Sequence, residues 1–198
     1  MAGPIEYFFA LPSPWCYLGH QRLIDMAAKA GREIRFKPCI TGKLFPAAGT
    51  LALGDRPQAR KTYRMAELKR WRDHLAMPLT LEPAYFPVDE SVAARTVIAV
   101  EERGLDCGAL AGAYMRAVWA EEKNIADPDV IDEIAAAHGH DGPGLRAAAD
   151  ARTVRERYEE FTEQAVAASV FGYPTFIVDG EMFWGQDRLD FVERKLKG

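Results

Sequence analysis

Ser13-Pro14-Trp15-Cys16 is the stretch of this chain best suited to chemistry. It follows an apolar run, and Pro14 suits the first turn of a helix, where its missing N–H would be unpaired anyway. Backbone N–H groups and the helix dipole at such a start favour a negative charge. Serine holds the solvent-facing position and cysteine stands three residues later, so no disulfide can close within the motif. Ser13 can simply cap the helix, or its hydroxyl can donate to a sulfur anion brought by a ligand. No nucleophile-elbow glycines flank it, and covalent serine catalysis has no visible base. Cys16 should fall one turn into the helix and face inward as a structural thiol. Cys39 and Cys107 read as core or loop cysteines.

Two further stretches could complete a site. In Val170-Phe171-Gly172-Tyr173-Pro174-Thr175 a proline opens a strand after a helix. Proline there removes a ladder donor and belongs at an edge or in a cis turn. A cis Tyr173–Pro174 bond would leave the Tyr173 backbone free to pair with an extended peptide ligand; an ordinary trans proline is the alternative. In Phe183-Trp184-Gly185-Gln186-Asp187-Arg188-Leu189, a glycine and polar residues open the last helix. Asp187 is there either as a helix-start carboxylate or as an anchor for a ligand ammonium group. The arginines from Arg56 to Arg64 carry charge at helical spacing. Trp15, Tyr63, Trp71 and Trp119 could line an apolar pocket, although aromatic residues at helical spacing are commonly core.

The elements that must position these residues are legible in the patterning. Ile5 to Leu11 reads as a buried strand, Trp15 to Ala30 as a helix closed by Gly31, and Glu33 to Pro38 as an alternating strand. This strand–helix–strand start predicts two parallel strands. Pro57 to Leu75 carries charges at helical spacing, and Pro78, Pro83 and Pro87 break any regular element after it. Val92 to Ala168 is almost wholly helical, with Asp127-Pro128 as a cap and first helical position. Pro174 to Val178, Asp179-Gly180 and Glu181 to Trp184 form a hairpin signature, and a last helix runs from about Asp187 to Lys197. The fold class is therefore α/β: a thioredoxin-like sheet with an inserted all-helical domain. Residues 1–45 and 165–198 would make the discontinuous thioredoxin-like domain, and 46–164 the helical insertion.

Composition narrows the function classes. The 198 residues are 48% hydrophobic and 27% charged, a globular balance. A net charge of −4 argues against a nucleic-acid partner. No apolar run is long enough for a membrane span, and the first residues show no secretion signal. Three widely spaced cysteines argue against a disulfide framework and point to a reducing cytoplasm. Four histidines lack metal-ligand spacing, so no metal is expected.

Taken together, SPWCYL near the N-terminus, the Arg56-to-Trp71 helix of pattern RPxxRxxYRxxELxRW, FGYPT and FWGQDRL resemble the 2-hydroxychromene-2-carboxylate isomerases, relatives of kappa-class glutathione transferases and DsbA-like oxidases. The resemblance covers nearly the whole chain. It implies a glutathione cofactor whose sulfur lies beside Ser13, as the catalytic residue. It implies that Tyr173, before cis Pro174, pairs with the cysteinyl backbone of the tripeptide, and that Gln186 and Asp187 hold its γ-glutamyl end. Thr50 and Arg60 would add contacts, where family members often carry asparagine and a nearby lysine. The implied activity interconverts 2-hydroxychromene-2-carboxylate and trans-o-hydroxybenzylidenepyruvate, a step in bacterial naphthalene breakdown, with an aromatic acid as substrate and a homodimer as the default assembly. The alternatives are a kappa-like transferase or peroxidase using another electrophile, a thiol–disulfide oxidoreductase, and a non-catalytic adaptor.

Overall fold

The apolar, aromatic run near the N-terminus forms β1 (Ile5–Phe9), followed by α1 (Pro14–Lys29) and β2 (Ile34–Pro38) in a computed structural model that describes residues 3–197. β1 and β2 pair in parallel, Ile5 against Ile34 and Phe9 against Pro38, as the strand–helix–strand order predicts. The strand stops at Phe9, two residues earlier than the apolar run suggests, because the Ala10 carbonyl turns to accept from the Ser13 N–H at 3.1 Å.

The chain continues through α2 (Thr41–Ala47), α3 (Gln58–Leu75), α4 (Ser91–Glu101), α5 (Cys107–Trp119), α6 (Pro128–Ala137), α7 (Gly142–Ala149) and α8 (Arg152–Ala167). It returns to the sheet in β3 (Thr175–Val178) and β4 (Glu181–Trp184), and ends in α9 (Leu189–Lys197). Strand order is β2-β1-β3-β4, with β3 antiparallel to both neighbours. Asp179 and Gly180 both adopt positive φ, the turn expected of Asp-Gly in a two-residue hairpin. The thioredoxin-like sheet and its helical insertion are both present.

The buried cluster joins sheet and insertion. Tyr7 stacks on Phe9 (ring centroids 4.7 Å) and on Phe176 (5.4 Å), while α1 covers that face and packs on α5. α4 and α8 lie against β2. The division drawn at 164/165 falls inside α8, so one continuous helix crosses it. Two elements depart from the patterning. α2 contains Gly42 and Pro46, poor helix formers, and is held instead by burial of Leu44 and packing on α8. Residues Gln186–Arg188 form a 3-10 turn, so the last α-helix proper starts at Leu189. Trp119, a candidate for the pocket wall, is fully buried against Phe86 (5.0 Å) and belongs to the core.

Candidate active site

Ser13 sits where β1 has turned into α1. Its Oγ accepts from the Cys16 N–H at 3.3 Å, and its carbonyl accepts from the Tyr17 N–H at 3.1 Å. Ser13 is thus an N-cap, and capping uses only its lone pair. The hydroxyl hydrogen remains available to a ligand. The next amide, at Pro14, does not exist, and the Trp15 N–H has no partner among the described residues. Two donors therefore stand at the positive end of a 16-residue helix, an arrangement that favours an anion. Behind them Cys16 is fully buried, and burial pushes its thiol up to about 12. Cys107 is raised to about 12 for the same reason, and Cys39 is raised further. None of the three is a thiolate at neutral pH.

The loop before β3 faces this helix start. Tyr173–Pro174 is cis, as the sequence suggested. The Tyr173 backbone N–H and C=O make no hydrogen bond among the described residues, while the Pro174 carbonyl accepts from Gly185 N–H at 2.9 Å. The loop is pinned from both sides: Thr50 donates its hydroxyl to the Phe171 carbonyl (2.7 Å), and Thr175 donates to the Gly172 carbonyl (2.7 Å). Gly172 is required by close approach, since a Cβ there would lie 2.6 Å from the Trp184 indole nitrogen. The Tyr173 ring packs on Phe45 (5.7 Å).

Trp15 and Tyr173 border a cleft of about 820 Å³ whose far wall is α3. Thr50, Arg60, Gln186 and Asp187 line it too; Ser13 and Pro174 are not lining residues, and reach it through their chain neighbours Trp15 and Tyr173. The site residues are not all equally free. Gln186 is 2% exposed, and its side-chain oxygen accepts from Arg22 at 2.8 Å, which ties the polar turn to α1. The Thr50 hydroxyl is engaged by Phe171. Asp187 presents a partly exposed carboxylate, paired with Arg188 at 2.9 Å. Trp15, Tyr63 and Trp71 join the wall as expected, without Trp119.

The cleft is positive in a protein of net charge −4. Arg56, Arg60, Arg64 and Arg188 line it against only Glu67 and Asp187. Glu67 pairs with Arg70 and Asp187 with Arg188, so among the described residues Arg56, Arg60 and Arg64 have no carboxylate partner. Burial and the neighbouring Arg56 push the Arg64 guanidinium down to about 10. Such a surface concentrates anions.

Three further participants have no role assigned by the patterning, although two of them lie within FGYPT and FWGQDRL. Phe171 and Trp184 meet in a tilted pair on the cleft rim, ring centroids 4.9 Å apart. Glu90 reads as one of an acidic pair opening a helix. Asp89 does act so, accepting from the Ser91 N–H (2.9 Å), but Glu90 turns inward and accepts from the Leu11 N–H at 2.6 Å, two residues before Ser13. Burial, then nearby Asp89, raise its carboxyl to about 8 despite that hydrogen bond.

The profile of the DSBA-like thioredoxin domain matches residues 4–197, which defines the class. The cytosolic disulfide reductase DsbM from Pseudomonas aeruginosa shares the fold, at 21% identity and a TM-score of 0.70 over 98% of both chains. Sequence identity reaches 30% over 198 residues with the 2-hydroxychromene-2-carboxylate isomerase of Sphingobium xenophagum, covering 99% of each chain. It is also 30% with that of Pseudomonas putida, covering 96% of this chain and 92% of the other. A solved 2-hydroxychromene-2-carboxylate isomerase superposes with a TM-score of 0.83 at 25% identity, over 98% of this chain and 94% of that one. The chain belongs to the 2-hydroxychromene-2-carboxylate isomerase family.

Proposed function

We propose that this protein is a glutathione-dependent isomerase interconverting 2-hydroxychromene-2-carboxylate and trans-o-hydroxybenzylidenepyruvate, in the catabolism of aromatic compounds. The observation that carries the reading is the cleft itself: aromatic walls and three arginines without carboxylate partners among the described residues, opening beside a helix start with free donors. An aromatic acid and a thiolate are the ligands that such a surface stabilises.

The fit to glutathione rests on the Tyr173 backbone groups, unpaired among the described residues and suited to strand-like pairing with a peptide, and on the Asp187 carboxylate for an ammonium group. At about 820 Å³ the cleft is within the range of ~300–1,000 Å³ usual for small-molecule sites. When bound, glutathione would supply a thiolate for reversible addition to a conjugated carbon of the substrate, freeing rotation about the former double bond until elimination restores that bond and returns the thiolate. The chain's own residues do the rest. Ser13 donates its hydroxyl hydrogen to the sulfur, and the α1 dipole acts in the same direction. Lowering a thiol from ~8.5 by ~1–2 units needs ~1.4–2.7 kcal/mol, within reach of those two effects. The arginines hold the substrate carboxylate, and Trp15 and Trp71 flank its ring.

Disulfide exchange is disfavoured, because serine occupies the exposed position and the Cys16 thiol is buried and held high. A glutathione cofactor implies the reducing cytoplasm, consistent with three free cysteines. Among the described residues no helix is long and apolar enough to cross a membrane, and no group of side chains could hold a metal ion. The test is a spectrophotometric assay with the chromene acid, with and without glutathione. Turnover that requires glutathione is expected. No acceleration in either case overturns the reading, and equal acceleration without glutathione removes the cofactor from it.

A further inference from the structure

Among the cationic side chains of the cleft, Arg64 differs from its neighbours. Arg60, one turn earlier on α3, is exposed, and Arg56 is half-buried with its Nε already donating to the Leu51 carbonyl at 3.1 Å. Arg188 is neutralised by Asp187. Arg64 is half-buried, with its guanidinium 5.6 Å from the centroid of Phe86, a ring that itself packs on buried Trp119. Its one polar contact among the described residues is Nη1 to the Met65 sulfur at 3.7 Å, a weak acceptor. Glu67, one turn further along, is held by Arg70 and does not reach it.

A guanidinium withdrawn from water without an acceptor is costly, and a carboxylate arriving there recovers that cost through two parallel charge-assisted hydrogen bonds. The Phe86 ring, 5.6 Å from the guanidinium carbon, covers one side of the group with apolar surface and leaves its N–H fork for a carboxylate entering from the cleft. Trp15 and Trp71 border the same cleft and offer flat apolar surface to the rest of a conjugated ligand. We infer that Arg64 is the anchor for the substrate carboxylate, and that it makes this cleft selective for planar conjugated carboxylic acids over their neutral analogues. Arg56 and Arg60, nearer the solvent, attract the anion and guide it inward. This inference rests on the isomerase reading for the identity of the substrate, and it names one residue that the reading leaves open.

The test compares coumarin-3-carboxylate with neutral coumarin, both read by quenching of tryptophan fluorescence in the intact protein, which needs no turnover. Wild type should bind the acid at least ~10-fold more tightly than coumarin. Arg64→Met should lose roughly 10- to 100-fold in affinity for the acid and little for coumarin, the loss expected of a charge-assisted pair. Arg64→Lys, which keeps charge but not the fork, should fall between them and serves if Arg64→Met folds poorly. In turnover, both variants should raise KM for the chromene acid more than they lower kcat. If either folded variant keeps the wild-type preference for the acid, or if Arg56→Met or Arg60→Met abolishes it instead, the assignment to Arg64 is overturned while the isomerase reading stands. If Arg64 governs acid binding but no chromene acid is isomerised with glutathione, the isomerase reading fails and the anchor remains.

Discussion

Replacing Glu90 with glutamine should make the protein more stable at neutral and alkaline pH and remove the fall in stability that this one carboxyl imposes as pH rises. The residue is 7% exposed, its carboxylate accepts from the Leu11 N–H at 2.6 Å, and burial raises the carboxyl from 4.5 to about 8. A raised acid favours the folded state below its unfolded value and loses that advantage as pH rises toward the folded one. Between these limits the folded protein holds a proton that the unfolded chain has released, and stability falls by ~1.4 kcal/mol per pH unit. The loss relative to the protonated state is ~1 kcal/mol at pH 5 and ~3 kcal/mol at pH 7, flattening above pH 8. Glutamine keeps an oxygen for the Leu11 N–H and cannot ionise. Between pH 5 and pH 8 wild type should therefore lose ~3 kcal/mol relative to Glu90→Gln, a change of about 10 °C in the Tm difference for a chain of this size, while buried His20, held down to about 4, shifts both proteins alike. Urea unfolding at several pH values measures it directly. Parallel stability curves for the two proteins across that window would refute the reasoning, since other titrating groups shift both curves alike.

Ser13→Ala should raise the thiol pKa of bound glutathione by about one unit and lower kcat by ~10-fold, with glutathione affinity changing less; thiolate absorbance against pH reads the shift. The same change removes the α1 cap and should cost ~1 kcal/mol in chemical unfolding. Gly172→Ala should push the new methyl into the Trp184 indole, now 2.6 Å from that position, destabilise the protein by ~1–3 kcal/mol and weaken glutathione binding in calorimetry. Cys16→Ala should keep most isomerase turnover, because its thiol is buried and held near 12; loss of turnover in a folded variant would reopen the thiol–disulfide reading.

The sequence by itself determined the features that depend on neighbours a few residues away. The Ser13-Pro14 start of α1 is set by a cap and a proline within one turn, the Asp179-Gly180 hairpin by two residues that accept positive φ, and the inward position of Cys16 by helical spacing. The motifs flanking Ser13, Tyr173 and Asp187 were legible for the same reason, and the family resemblance joined them into one site. Only the tertiary structure decided which side chains face the cleft and which are spent holding it. Thr50 is engaged by Phe171, 121 positions away; Gln186 by Arg22, 164 away; and Glu90 by Leu11, 79 away. No local pattern separates Trp71, on the cleft wall, from Trp119, sealed against Phe86, or Arg64 from Arg60 one turn earlier. Helical periodicity assigns a residue to a face. What that face meets depends on packing between segments far apart in the chain, and that packing sets the burial and unpaired charge from which the cleft draws its chemistry.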